Sequence, residues 1–134
     1  MPELPEVETV RSGLAQHLVN AKVQDIKILD ARSLKRNVAG VQGFVDELVG
    51  ARFQAVVRRG KFLWLPISIS RAMVGHLGMS GQILVRTPDF EPDPQTRVVI
   101  TVEGSDGREL EIRFVDQRLF GGLAIDDLVE TSDL

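Results

Sequence analysis

With 134 residues, 43% of them hydrophobic, and a net charge of −3, the chain is one domain's worth of sequence with enough apolar material for a core. It has no cysteine, which excludes disulfides and every cysteine-ligated zinc site, and with only His17 and His76 a histidine-rich metal centre is not expected. No apolar run reaches about 18 residues, so no membrane span is expected. The opening is acidic and proline-rich rather than basic and then apolar, so it does not read as a signal peptide, and a cytoplasmic location is expected.

The chain starts Met1-Pro2-Glu3-Leu4-Pro5-Glu6-Val7-Glu8, and Val7, Val10, Leu14 and Leu18 then recur at the spacing of one helical face. Acidic residues suit the positive end of a helix dipole and proline is tolerated in a first turn, so a stable helix start accounts for this composition. A second reading begins at Pro2. Once Met1 is removed, Pro2 is a free secondary amine beside the Glu3 carboxylate, and such an amine can attack an electrophilic sugar or carbonyl carbon to form an iminium. Glu6 fits either reading, as a first-turn stabiliser or as a group that positions sugar or base.

Lys22 to Leu29 alternates as a strand with one irregularity, with Val23, Ile26 and Ile28 pointing inward. Arg32 to Gly43 is polar and glycine-punctuated and predicts a loop, and Phe44 to Val49 predicts a short helix closed by Gly50. Strands are then predicted over Phe53–Arg58, Phe62–Ile67, Ala72–Leu77, Gln82–Arg86, Arg97–Val102 and Arg108–Val115. A proline-rich acidic loop covers Pro88 to Pro94, and Gly104-Ser105-Asp106-Gly107 signals a hairpin. On the last predicted strand Leu110, Ile112 and Phe114 face the core, while Glu109, Glu111 and Arg113 are expected to face water. A helix followed by seven or eight strands favours a mainly β fold, a two-layer sandwich with flanking helices, although the pattern by itself leaves a barrel open.

Charge is unevenly spread. Between Arg32 and Lys61 seven basic residues face only Asp46 and Glu47, whereas Asp126, Asp127, Glu130 and Asp133 close the chain with no base among them. A polarised surface is expected.

Three constellations carry chemistry. In Arg58-Arg59-Gly60-Lys61-Phe62-Leu63 a glycine between basic residues makes either a solvated hairpin tip or a tight turn that presents Lys61 to a phosphate. In His76-Leu77-Gly78-Met79-Ser80-Gly81, Met79 is either a core residue at a strand end or an apolar wedge offered to a base stack. In Asp116-Gln117-Arg118-Leu119-Phe120-Gly121-Gly122, Arg118 and Phe120 can present a guanidinium to a base edge and a ring for stacking, or the segment is a strand end with a buried phenylalanine.

Together the amino-terminal run and these three motifs resemble the amino-terminal domain of the formamidopyrimidine-DNA glycosylase family, bacterial base-excision-repair enzymes that remove oxidised purines and cut the resulting abasic site. The resemblance implies a β-sandwich whose N-terminal helix carries a catalytic terminus, with Pro2 as nucleophile, Glu3 in proton transfer, Glu6 beside them and Lys61 as a DNA-contacting proton donor. It also implies that His76 contacts a phosphate, that Met79 fills the void left by an extruded base, that Arg118 reads the orphaned cytosine and that Phe120 wedges behind it. Arg97 stands where many relatives have a histidine and can bind phosphate bidentately. Leu119 stands where many have a basic or polar residue, which weakens the loop's positive charge.

The implied activity is bifunctional, a glycosylase and abasic-site lyase acting through a proline Schiff base with β,δ-elimination on damaged double-stranded DNA. A monomer with no protein partner is expected. Family members are about twice this length and add a helix–two-turns–helix domain and a four-cysteine zinc finger, so residues 1–134 are expected to be the catalytic domain alone, without its zinc, and weak or inactive in isolation. Two other classes stay open. One is a non-catalytic lesion-binding or scaffold domain of the same fold. The other is a binding sandwich unrelated to DNA, to be distinguished by whether Pro2, Lys61, Met79 and Arg118 share one surface.

Overall fold

Two four-stranded antiparallel sheets form the fold, described by a computed structural model over residues 15–59, 62–78 and 81–128. The strands are β1 (Lys22–Ile28), β2 (Val57–Arg59), β3 (Phe62–Pro66), β4 (Arg71–His76), β5 (Gly81–Arg86), β6 (Thr96–Glu103), β7 (Glu109–Asp116) and β8 (Gly122–Asp127). One sheet has the order β1-β6-β7-β5 and the other β2-β3-β4-β8. A 3-10 helix at Ala31–Leu34 and an α-helix, α1, at Gly40–Leu48 complete the named elements, and residues 15–18 are also helical.

Period-two alternation builds both layers, because successive side chains on a strand point to opposite faces. Along β6 the buried residues are Thr96, Val98, Ile100 and Val102, and along β7 they include Leu110, Ile112 and Phe114. These meet Leu63, Leu65, Met73, Leu123 and Ile125 from the other sheet in one core, which Leu18, Phe44 and Leu48 extend beneath the helical segments. The expected two-layer sandwich is therefore the observed one. The helical residues 15–18 end at Asn20, whose φ of +70° suits an asparagine past a helix terminus. The remainder of the expected N-terminal helix lies outside the described residues.

Three expectations change. The segment predicted as a loop from Arg32 to Gly43 holds the 3-10 helix and the first turn of α1. The Asp30 carboxylate caps the former by accepting the Arg32 N–H at 3.0 Å. Asn37 holds the start of the latter, donating to the Gly40 carbonyl at 2.7 Å and accepting the Ile125 N–H at 2.8 Å. Such side-chain contacts, one of them 88 residues distant, leave no periodic signal.

The strand predicted over Phe53–Arg58 contracts to Val57–Arg59. Phe53 exchanges backbone hydrogen bonds with Asn20 and Ala21, which diverts it from a ladder with the neighbouring strands. In the reverse direction, the acidic segment Gly122–Asp127 pairs with β4 through Arg71↔Asp127 to His76↔Gly122 and becomes an edge strand.

Arg113 is the third correction. It was expected to face water, but its side chain is 5% exposed and paired with Glu111 at 2.8 Å. Topology explains this. β5 and β6 both flank β7, so the chain from Thr87 to Gln95 must cross over β7 on the outer face, and it roofs Arg113 there. A cavity of about 530 Å³ remains beneath the crossing, between Arg86, Phe90, Asp93 and Arg113.

Phe114 is 1% exposed at the centre of the core. Phe114→Ala is expected to lower the unfolding free energy by about 3–5 kcal/mol, read from urea denaturation midpoints at unchanged slope.

Candidate nucleic-acid interface

Three segments distant in sequence share one row across the second sheet. Phe62 of β3 pairs with His76 of β4, and His76 pairs with Gly122 of β8. This register brings the ends of the Arg58–Leu63, His76–Gly81 and Asp116–Gly122 motifs to a single sheet end. The His76 ring stacks on Phe62 with centroids 4.7 Å apart and planes 22° from parallel. On the neighbouring hairpin strand, Arg59 lies 5.1 Å from the Trp64 ring centroid, a cation–π distance that keeps a guanidinium near the same end.

Glycine lets the β4–β5 and β7–β8 loops touch through their backbones. A Cβ on Gly121 would stand 2.2 Å from the His76 carbonyl oxygen and 3.0 Å from that of Leu77. Opposite it, Gly78 adopts a φ of +62°, and a Cβ there would lie 3.1 Å from the Gly121 nitrogen. Gly122 continues the contact against the Ser33 carbonyl of the 3-10 helix, 2.8 Å from where its Cβ would be. At the loop's base the buried Asp116 carboxylate accepts the Gly121 N–H at 2.9 Å.

Within this frame Leu119 takes a φ of +60°, a conformation costly for a side chain with a Cβ, and Arg118 and Phe120 lie exposed on either side of it. Phe120 is 52% exposed and Phe62 42% exposed, so two aromatic rings stand at one basic edge instead of in the core. Aromatic faces beside guanidinium groups are the composition that receives stacked bases and phosphates.

The structure places His76, Arg118 and Phe120 at this edge. Pro2, Glu3, Glu6, Lys61 and Met79 lie outside the described residues. Arg97 is turned inward at its guanidinium: Nε donates to the Asp116 carbonyl at 3.0 Å, Nη1 is 3.7 Å from Asp30, and the side chain is 20% exposed. Its observed contacts brace the base of the 117–121 loop. The Arg32 hydrogen bonds to Asp30, with a smaller contribution from Arg97, hold that carboxyl at about 2, well below its usual value of 3.8.

Sequence reasoning gave no site role to Lys35 and Arg36, which reach the loop from the end of the 3-10 helix. Lys35 Nζ donates to the Leu119 carbonyl at 2.9 Å, and Arg36 Nη2 donates to that of Phe120 at 3.1 Å. Arg36 Nη1 also meets His76 Nδ1. Their position in the basic Arg32–Lys61 stretch was the available signal. The opposite end of the same sheet is acidic: Arg71 is held between Glu47 and Asp127, whose carboxylates it meets at 2.6 and 2.9 Å, and Asp126 follows on β8. Charge is thus separated along the strands, as the uneven sequence distribution predicts.

No group of three or more metal-capable side chains occurs among the described residues, and without cysteine the chain supplies no zinc-finger donor set.

Residues 1–123 match the family described as the formamidopyrimidine-DNA glycosylase N-terminal domain. A formamidopyrimidine-DNA glycosylase of Nocardioides sp. is 51% identical over 126 residues, covering 93% of this chain and 42% of that protein. That of Leifsonia xyli is 47% identical over 135 residues, covering 99% and 46%. Among solved structures, Lactococcus lactis Fpg in complex with DNA containing an abasic site superposes with a TM-score of 0.83 at 28% identity, covering 94% of this chain and 44% of that one. The same protein with a FAPY-dG-containing DNA gives 0.82, covering 93% and 44%. The chain spans less than half the length of these relatives.

Gly121→Ala is expected to destabilise the fold by about 1–3 kcal/mol, because the collision is with backbone, and to shift the amide resonances of residues 76–78. Asp30 makes a pH-dependent contribution. Its carboxyl is depressed in the folded state, so its stabilisation is complete above the usual value of 3.8 and fades as pH falls toward about 2. Asp30→Asn is expected to flatten that acid limb in pH-dependent thermal melts.

Proposed function

The chain belongs to the formamidopyrimidine-DNA glycosylase family, and from that membership we propose that it is the catalytic half of a DNA glycosylase and abasic-site lyase that excises oxidised purines, formamidopyrimidine and 8-oxoguanine, from duplex DNA. The observation that carries the reading is the Phe62–His76–Gly122 row, which gathers three separately predicted DNA motifs at one edge with Arg118 and Phe120 exposed beside it.

An enzyme acting on a stacked base must extrude it, plug the gap, hold the backbone and attack the sugar. In this reading Arg118 donates to the base left without a partner, and Phe120 and Met79 fill the gap in the stack. His76 and Lys61 hold phosphates. The Pro2 nitrogen attacks C1′ and gives up its own proton, and the damaged base leaves with the bonding electrons and takes up a proton. Glu3 protonates the ring oxygen as the sugar opens, the nitrogen lone pair forms the iminium, and loss of a C2′ proton expels the 3′ phosphate. A second elimination then releases the 5′ phosphate, which leaves a gap in the strand.

Pro2 can act only after Met1 is removed, because an acylated proline nitrogen is not nucleophilic. The Leu4 residue and the His76–Gly81 motif favour the purine branch of the family over its pyrimidine-directed relatives. The proposed partner is damaged DNA, bound by a monomer inside a bacterial cell, with zinc entering only through domains beyond these 134 residues.

Borohydride trapping tests the chemistry. The chain with Met1 removed, joined to the remaining domains of a family member, is expected to form a covalent adduct with abasic-site duplex, and retention of Met1 is expected to abolish it. Tight lesion binding without an adduct would instead establish the non-catalytic reading. The isolated 134 residues are expected to bind weakly, with a shallower salt dependence than the protein bearing its remaining domains, since much of the phosphate contact is absent. Arg118→Ala is expected to cost about 1–3 kcal/mol of discrimination for the base opposite the lesion, measured by competition among duplexes.

A further inference from the structure

We propose that Lys35 and Arg36 are positioning residues that clamp the 117–121 loop and, through Arg36, fix the hydrogen-bonding form of His76. The inference rests on the DNA role assigned above to Phe120, Arg118 and His76, but its first two observables require no DNA.

The loop has few ways to hold its shape by itself. Leu119 sits at a φ of +60°, and Arg118 and Phe120 project without cover from the core. Four polar contacts compensate. Arg97 holds the Asp116 carbonyl, Lys35 that of Leu119 and Arg36 that of Phe120, while the Asp116 carboxylate holds the Gly121 N–H. Two of the four grip carbonyls within the loop and a third grips the carbonyl at its base, so they fix the path of the chain through main-chain groups.

Lys35 and Arg36 can act as fixed points because their own segment is anchored. It follows a 3-10 helix capped by Asp30, with Ser33 and Leu34 buried, and is followed by Asn37, whose amide bridges α1 and β8. Gly122 lies directly against Ser33, so clamp and loop share one contact surface.

The Arg36–His76 contact adds a chemical consequence. A guanidinium only donates, so the Nδ1 it meets must accept, and the ring hydrogen then resides on Nε2. The tautomer so fixed is the one that can donate to a phosphate oxygen from Nε2. A single guanidinium therefore couples the ring assigned to the backbone with the loop assigned to the base stack. Among the described residues neither Lys35 nor Arg36 meets a carboxylate, so both positive charges remain beside the loop.

Nitrogen-15 spectra of the histidine rings in the 134-residue chain test this directly, with His17→Gln used to assign the two rings. The expected wild-type result is His76 with its hydrogen on Nε2, and a ring carrying it on Nδ1 overturns the coupling. In Arg36→Gln the ring is expected to become a mixture of tautomers. In both Arg36→Gln and Lys35→Met, amide exchange at Leu119–Gly121 is expected to accelerate roughly tenfold while strand amides stay unchanged, since both side chains are exposed and outside the core. Unchanged exchange in both variants overturns the clamp.

A duplex with 2-aminopurine opposite an abasic site, bound by the protein bearing its remaining domains, reports loop insertion. Wild type is expected to raise the fluorescence and both variants to halve the rise or more. A silent probe with wild type overturns the DNA reading alone, and the clamp then stands or falls on the ring tautomer and the amide exchange.

Discussion

Gly121 lies so close to the carbonyls of His76 and Leu77 that the β4–β5 and β7–β8 loops form one backbone-to-backbone unit, and the exposed chemistry of the domain hangs from it. A side chain at that point would drive the loops apart and separate His76 from Phe120. Gly78 at positive φ and Gly122 against Ser33 extend the same contact on either side, so the unit is seated both on the sheet end and on the 3-10 helix. Close approach of this kind uses the absence of a Cβ, at the cost of a looser unfolded chain.

What keeps the unit rigid is the sandwich behind it. Antiparallel register fixes Phe62, His76 and Gly122 in one row, and a slip of one residue on β4 or β8 would send Met73 or Ile125 out of the core. The buried residues of β4 and β8 thus specify the geometry of the surface at the end of their sheet. Polar contacts complete the positioning. Asp116, Arg97, Lys35 and Arg36 each meet main-chain groups of the loop, an arrangement that tolerates variation in the loop's side chains better than in its backbone path.

The charge layout follows from the same topology. β4 and β8 run in opposite directions, so Arg71, Asp126 and Asp127 collect at one sheet end and His76 and Gly122 at the other. An overall charge of −3 is compatible with a basic edge because the acids are placed at the far end of the strands.

Much of this was legible in the residues. Alternation set β1, β3, β6 and β7 nearly to their observed limits, because a half-buried strand writes its period into the chain. The motifs around His76 and Phe120 were also legible, since glycines flanking a large apolar or aromatic side chain are uncommon in a packed core. Contacts between distant segments left no such trace. The 3-10 helix and the first turn of α1 are held by Asp30 and Asn37, β8 is a strand only because β4 offers it an edge, and Arg113 is buried only because the β5–β6 connection must cross β7. The sequence by itself determined the periods of most strands and the faces they turn to the core, and it marked candidate residues for chemistry, since those depend on side-chain type and local period. Tertiary structure alone decided that Arg97 braces a loop and that Lys35 and Arg36 reach across 84 residues to hold it, because such hydrogen bonds depend on where the sheet brings the chain back to itself.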